Sequence, residues 1–226
     1  MCLDSFQKKP IITYGLITLN VLIFIAMTLS GGSENPVNLI YWGAKYDPLI
    51  VQGEIWRLFT PMFIHIGAEH LALNMLTLYF LGSQLEQLFG KWRFLLIYLV
   101  SGIGGNIASF AFSPSISAGA STALFGLFGA YLMLGESFRQ VPSIRMIARQ
   151  FLVLIILNLA FDLFASGIDL YGHLGGLVAG FLVAYVVGVP NLGKIEKLKR
   201  IISMIALGLI FIVLLKIGFN TWQYPV

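Results

Sequence analysis

The feature that most constrains this chain is a series of apolar runs long enough to cross a bilayer. A helix needs about 20 apolar residues to span the hydrocarbon, and windows of that length give seven candidate spans. They cover about residues 11–29, 69–88, 94–112, 120–135, 148–166, 170–189 and 201–219. The composition agrees, because 58% of the 226 residues are hydrophobic and only 11% are charged, too few to cover a soluble domain. We therefore expect an all-α fold, a polytopic transmembrane helix bundle with seven spans in a lipid bilayer.

The basic residues indicate how these helices are oriented. If the N-terminus is cytoplasmic, eleven of the 14 Lys and Arg residues lie in inside segments, namely Lys8, Lys9, Lys91, Arg93, Arg139, Arg145, Arg149, Lys194, Lys197, Lys199 and Arg200. Basic residues concentrate on the cytoplasmic side of membrane proteins, so this orientation is favoured. Their scatter between apolar runs argues against nucleic acid as a partner. A prokaryotic plasma membrane is favoured over an organelle.

The single cysteine, Cys2, limits what sulfur chemistry is available. One thiol allows neither an intrachain disulfide nor a cysteine metal cluster. Cys2 could carry a lipid, but a bystander thiol is the favoured interpretation.

Three predicted helices begin at the outer face, each with a polar side chain of chemical use. His70 and Asn74, four residues apart, share a face of the second span, whereas Ser121 and His173 lie in the first turns of the fourth and sixth spans. These side chains should therefore lie at similar depth. The fourth span has about 16 residues and covers about 24 Å of a core about 30 Å thick. We thus expect Ser121 below the outer surface, reached by water through a cavity.

Ser121 and His173 have the chemistry of a serine nucleophile and its general base. An imidazole can accept the hydroxyl proton near neutral pH. A developing oxyanion needs donors, and the backbone at Ala120 and Ser121 lies at the positive end of a helix. The side chains of His70 and Asn74 add donors from the neighbouring helix. Together these residues predict a site for hydrolysis.

Small residues allow the fourth and sixth spans to approach closely. They are Gly126 and Gly129 on the fourth span and Gly172, Gly176 and Gly180 on the sixth. Such spacing lets helix backbones come together in membranes. Phe125, one turn after Ser121, faces the same way and can support the ring of His173.

These residues resemble the motifs of rhomboid intramembrane serine proteases. The resemblance is carried by the segment 56–61, Phe63, His65, His70, Asn74, the segment 119–121, His173, Gly176 and Gly180. It covers about residues 56–180. It implies that Ser121 is the nucleophile and His173 its base, in a dyad without a third acid. It also implies that His70 and Asn74 bind the oxyanion and that neither a cofactor nor a metal is needed.

The resemblance further implies an intramembrane serine endopeptidase that cleaves single-span membrane proteins in or near their transmembrane helices. Its expected architecture is one membrane-embedded domain over residues 1–226, with a rhomboid-like core at about 11–189 and an additional helix at about 201–219. The sequence does not specify an oligomeric state. Many family members have glycine after the nucleophile and tyrosine four positions after it, whereas this chain has Thr122 and Phe125. Phe125 keeps the ring and lacks the hydroxyl.

Two acids near His173 leave alternatives open. Asp169 could complete a Ser-His-Asp triad or cap the sixth helix, and capping is favoured because Asp prefers helix starts. Asp162 lies inside the fifth span, where acids are functional candidates, and no role is assigned to it.

Two other functions also stay open. A metal-dependent membrane hydrolase would use His65, His70 and His173. Against it, the chain has no H-E-x-x-H motif, and five-residue spacing splays His65 and His70 by about 140° on a continuous helix. A non-catalytic rhomboid-like chaperone or receptor is the other alternative, although such relatives are expected to lack the nucleophile or the base.

Overall fold

The apolar runs form helices in a computed structural model that describes residues 9–165 and 167–223. Within those residues the helices are α1 (Ile11–Leu29), α2 (Pro36–Trp42), α3 (Asp47–Val51), α4 (Gly67–Phe89), α5 (Lys91–Phe112), α6 (Ser121–Ser137), α7 (Pro142–Asp162), α8 (Leu170–Val187) and α9 (Lys197–Gln223). The expectation of a helical membrane bundle is confirmed. The predictions made for Cys2 and Lys8 lie outside the described residues.

Five of these helices are long and apolar enough to cross a membrane: α1, α5, α7, α8 and α9. The two other predicted spans, α4 and α6, carry His70, Asn74 and Ser121 of the candidate site. Helix α6 has 17 residues and is buried along most of its length, and it packs against α4, α5, α7 and α8. The shortest predicted span is therefore central to the bundle. That α4 and α6 also cross the bilayer stays a prediction.

The fifth span differs from its predicted bounds of 148–166. Helix α7 begins at Pro142, because proline fits the first turn of a helix. Arg145 and Arg149 lie within the helix. Their charge lowers the mean hydropathy of its first turns, so a search for apolar runs does not include these turns. At the other end, α7 finishes at Asp162. This acid is thus the last residue of its helix rather than an interior one.

The backbones of α6 and α8 are in direct contact. A Cβ atom at Gly176 would collide with the carbonyl of Thr122, and one at Gly180 would collide with the carbonyl of Gly126. A Cβ at Gly126 would in turn overlap Ser101 of α5. The predicted role of these glycines in close helix packing is confirmed. The contact fixes the first turns of α6 and α8 relative to each other.

The connection between α1 and α4 folds into a layer around one buried guanidinium. Arg57 is 4% exposed, and its Nη1 donates to the carbonyls of Ile40 at 2.7 Å and Ala44 at 3.0 Å. Its Nε donates to Glu54 Oε2 at 2.6 Å. Trp56 lies beneath the same group, with 4.4 Å between the guanidinium carbon and the ring centroid. Arg57 therefore holds this layer together by joining Glu54 to the backbone carbonyls of Ile40 and Ala44.

Candidate active site

Ser121 and His173 meet at the starts of two helices. Ser121 is the first residue of α6, and His173 lies in the first turn of α8. The Oγ atom of Ser121 lies 2.9 Å from Nε2 of His173, a hydrogen-bond distance. His173 is only 8% exposed. The α6–α8 contact thus brings together two side chains that are 52 positions apart in the sequence.

The second ring nitrogen of His173 contacts Asp162, the residue to which sequence reasoning gave no role. The distance from Nδ1 to Asp162 Oδ2 is 2.6 Å, and the two side chains are 10% and 5% exposed. A carboxylate accepts, so Nδ1 carries the proton and the lone pair of Nε2 faces the Ser121 hydroxyl. Hydrogen bonds therefore connect Ser121, His173 and Asp162 in that order, whereas the family resemblance implied a pair without a third acid. The signal in the sequence was an acid inside an apolar span.

The ring of Phe125 lies flat against the imidazole. The centroids of Phe125 and His173 are 4.1 Å apart, and the ring planes differ by 13°. Phe125 comes one turn after Ser121 on α6, which explains why the ring reaches His173 from the same side. Stacking restricts rotation of the imidazole and keeps Nε2 directed towards Ser121.

Asp169, the other candidate acid, caps α8. Its Oδ1 accepts a hydrogen bond from the backbone N–H of Gly172 at 2.9 Å, which satisfies one of the free donors at a helix start. The favoured capping role is confirmed. Asp169 thereby stabilises the helix turn on which His173 sits, while Asp162 occupies the position next to the imidazole.

His70 lies beside Ser121, with Asn74 one turn further along α4. A Cβ atom on Gly119 would lie 2.9 Å from His70 Nε2 and 3.6 Å from Ser121 Oγ. The imidazole of His70 and the hydroxyl of Ser121 therefore border the same space above Gly119. Asn74 is 5% exposed, and its Nδ2 donates to the carbonyl of His70 at 2.8 Å. Gly119 leaves this space open because it has no side chain.

His65 supports the turn that precedes Ser121. Its Nε2 accepts a hydrogen bond from the backbone N–H of Ala120 at 3.2 Å. Burial, with a smaller contribution from nearby His70, lowers the pKa of His65 to about 3. The ring therefore stays neutral and can accept. Because the Ala120 N–H is already bonded, the free backbone donors of this turn begin at Ser121.

The expected separation of His65 and His70 was wrong. Helix α4 begins at Gly67, so His65 precedes the helix and the argument from a continuous helix does not apply. The two ring centroids are 5.4 Å apart. Even so, the described residues contain no group of three His, Cys, Asp or Glu side chains placed to hold a metal. In His173, Nε2 contacts Ser121 and Nδ1 contacts Asp162, so neither ring nitrogen is directed at His65 or His70.

A buried lysine fixes the connection between α5 and α6. Lys45 is 0% exposed; its Nζ lies 2.8 Å from Asp47 Oδ1 and donates to the carbonyl of Ser115 at 3.0 Å. The backbone N–H of Lys45 also donates to the carbonyl of Ser117 at 2.9 Å. Burial lowers the pKa of Lys45 and raises the pKa of Asp47 to about 6, although each partner opposes the shift of the other. The segment that leads into Ser121 is thereby fastened to the layer formed by the connection between α1 and α4.

Comparison with known proteins places these residues in a family. A family model described as a rhomboid domain matches residues 52–190. The rhomboid protease GluP of Bacillus subtilis is 47% identical over 203 residues, which are 89% of this chain and 39% of that protein. The rhomboid-family protein YdcA of the same strain is 34% identical over 196 residues, 81% of this chain and 93% of that protein. RHOMBOID-like protein 1 of Arabidopsis thaliana is 43% identical over 135 residues, 59% of this chain and 34% of that protein.

The matched region includes every side chain of the candidate site from His65 to His173. The chain spans less than half the length of GluP and of the Arabidopsis protein. Together, the family match and the apolar helices identify an integral, multi-pass membrane protein.

Proposed function

This chain belongs to the rhomboid family, and on that premise we propose that it is an intramembrane serine endopeptidase. It hydrolyses peptide bonds in or near the transmembrane helices of single-span membrane proteins. The observation that carries this proposal is the 2.9 Å contact between Ser121 Oγ and His173 Nε2. A non-catalytic relative would have no need of a nucleophile in contact with a base.

The reaction begins when Ser121 Oγ attacks the substrate carbonyl and His173 Nε2 takes the hydroxyl proton. His173 then gives that proton to the departing amine, which leaves an acyl ester on Ser121. Water attacks the ester with His173 again as the base, and the free hydroxyl is restored. The carboxylate of Asp162 stabilises the imidazolium that forms in each half of the reaction. In this scheme Asp162 is a positioning residue, because it acts through His173.

Donors from two helices stabilise the oxyanion. The backbone N–H of Ser121 lies at the positive end of α6. His70 borders the same space across Gly119, and Asn74 supplies an amide on the same face of α4. These donors are fixed before substrate arrives, so they need little rearrangement as charge develops.

The substrate helix must unwind for this chemistry to occur. An intact helix uses its carbonyls in internal hydrogen bonds, whereas an extended segment can present one to Ser121. The positive-inside pattern puts the N-terminus in the cytoplasm and the site towards the outer face, in a membrane that we take to be a prokaryotic plasma membrane.

Cleavage of a model single-span substrate by the purified protein in detergent tests the function. Mass spectrometry of the products locates the bond that is cut. We expect Ser121→Ala to abolish cleavage while Ser143→Ala, an exposed serine at the start of α7, leaves it unchanged. Cleavage that persists in Ser121→Ala would refute the nucleophile assignment, and loss of cleavage to a chelator would favour the metal-dependent alternative. Substrate that binds without being cut would favour the chaperone alternative.

A further inference from the structure

A groove between α6 and α7 lies at the ends of these helices that face away from Ser121. Its volume is about 390 Å³. Leu132 and Glu136 of α6, together with Arg139 just beyond the end of that helix, line one wall. Arg145, Arg149 and Leu152 of α7 line the other. The spacings of three and four residues put Leu132 and Glu136 on one face of α6, and Arg145, Arg149 and Leu152 on one face of α7.

The charged end of the groove has an excess of positive charge. Glu136 is the one carboxylate among its lining residues, and Glu136 already pairs with Lys199 of α9 at 3.1 Å. It also accepts a hydrogen bond from the hydroxyl of Tyr185. Arg139 Nη2 lies 4.0 Å from Glu136 Oε1, and the side chain of Arg139 is 73% exposed. Within the described part of the chain, Arg145 and Arg149 form no ion pair and are exposed. Three guanidinium groups are therefore available to an anion.

The other end of the groove is apolar. Leu152 lies seven positions further along α7 than Arg145, which corresponds to about 10 Å, and Leu132 lies inside α6, before Glu136. Leu152 is 44% exposed on a helix that is apolar enough to cross a membrane, so a lipid chain can reach it. At the floor the two helices touch, because a Cβ atom on Gly135 would collide with the methyl group of Ala148. The groove thus runs from a basic mouth to an apolar wall.

We propose that this groove binds a phospholipid with an anionic headgroup. Guanidinium groups bind phosphate through paired N–H donors, and three of the residues that line the groove carry one. The acyl chain then runs along Leu132 and Leu152, where a free phosphate would make no contact. The match of charge at one end and apolar surface at the other identifies a lipid rather than a soluble anion. Basic pockets between membrane helices bind anionic headgroups in this way.

A lipid in the groove would join α6 to α7 at the ends opposite the candidate active site. This matters because α7 packs mainly on α6 and carries Asp162 at its far end. The bound lipid is therefore expected to stabilise the packing of α7. The binding site itself does not depend on the proposed protease activity.

Native mass spectrometry and thermal unfolding of the purified protein in detergent test the proposal. The probes are dioctanoyl phosphatidylglycerol, dioctanoyl phosphatidylcholine and inorganic phosphate. We expect phosphatidylglycerol to bind most tightly and to raise the thermal midpoint. In Arg145→Gln/Arg149→Gln its affinity should fall about thirtyfold, from about fivefold for each basic residue near a membrane surface.

The matched control is Lys194→Gln/Lys197→Gln, which removes two exposed charges that do not line the groove. It should bind phosphatidylglycerol as the wild type does. Both double variants should unfold at the wild-type temperature without lipid, which separates binding from folding. Three results would each overturn the proposal. They are phosphatidylcholine binding as tightly as phosphatidylglycerol, inorganic phosphate displacing phosphatidylglycerol at the concentrations at which the lipid itself binds, and the lysine control losing as much affinity as the arginine variant.

Discussion

Replacement of Asp162 by Asn should slow catalysis without weakening substrate binding. Asparagine keeps the size of the side chain and removes its charge. The lost interaction is a buried hydrogen bond of 2.6 Å between Asp162 and His173, and such bonds to charged groups contribute about 1.5–3 kcal/mol. The carboxylate acts mainly on the imidazolium, which forms only as the reaction proceeds. A loss of about 1.5–3 kcal/mol from the transition state predicts a kcat roughly 13 to 160 times lower.

Two measurements separate this positioning role from a structural one. Steady-state cleavage of a model single-span substrate should show the fall in kcat with little change in KM. NMR of the protein labelled with 15N-histidine should show the Nδ1–H of His173 in the wild type and lose that signal in Asp162→Asn. Asn158→Ala is the control, because it removes a polar side chain of α7 that bonds only to its own helix. A kcat within about threefold of the wild type, or an effect confined to KM, would refute the reasoning.

Four further predictions follow from the contacts around the site. Asn74→Ala should lower kcat about tenfold to a hundredfold with little change in KM, as expected for an oxyanion donor; unchanged kinetics would remove Asn74 from that role. Gly180→Ala should lower stability by roughly 1–3 kcal/mol, because its new Cβ meets the carbonyl of Gly126. Gly208→Ala, where nothing lies within 4 Å, should not, and equal thermal midpoints for the two variants would contradict the close helix crossing. Lys45→Met should lower the free energy of unfolding by at least about 2 kcal/mol and reduce cleavage, since several buried acceptors lose their donor. A variant that unfolds at the wild-type thermal midpoint would show that the contacts of Lys45 do not stabilise the fold. Finally, Asp47 keeps its proton in the folded state up to its raised pKa of about 6, whereas the unfolded chain loses it near 3.8. The wild type should therefore lose stability relative to Asp47→Asn as the pH rises from about 4 to 6, with no further change above, and a flat difference in midpoint over that range would contradict the shift.

The sequence predicted the bounds of a helix best where hydropathy alone determines them. Helix α1 has the bounds given by hydropathy alone, Ile11–Leu29. Helix α7 does not, because Arg145 and Arg149 conceal its first turns while Pro142 starts the helix. An apolar run marks where a helix contacts lipid or core, and it does not mark polar turns that continue the same helix.

Some contacts within the site could be predicted from the sequence, and others could not. The pairing of Ser121 with His173 could be predicted, since both side chains follow from their places in the first turns of helices with a common direction. The contact of His173 with Asp162 could not, because it depends on how far α7 extends and how it is rotated against α6. His65 and Lys45 bond to backbone of distant segments. Such contacts have no periodic signal in a single sequence.

The most direct test of the central claim is covalent labelling of Ser121 by a fluorophosphonate. The reagent reacts with a serine whose hydroxyl is activated by a base, so the wild type should carry one label, located on Ser121 by peptide mass spectrometry. His173→Ala should lose the label while keeping its helix content by circular dichroism. Labelling of a different serine, or labelling of Ser121 that is unchanged in His173→Ala, would contradict the proposal that these two residues form the catalytic pair.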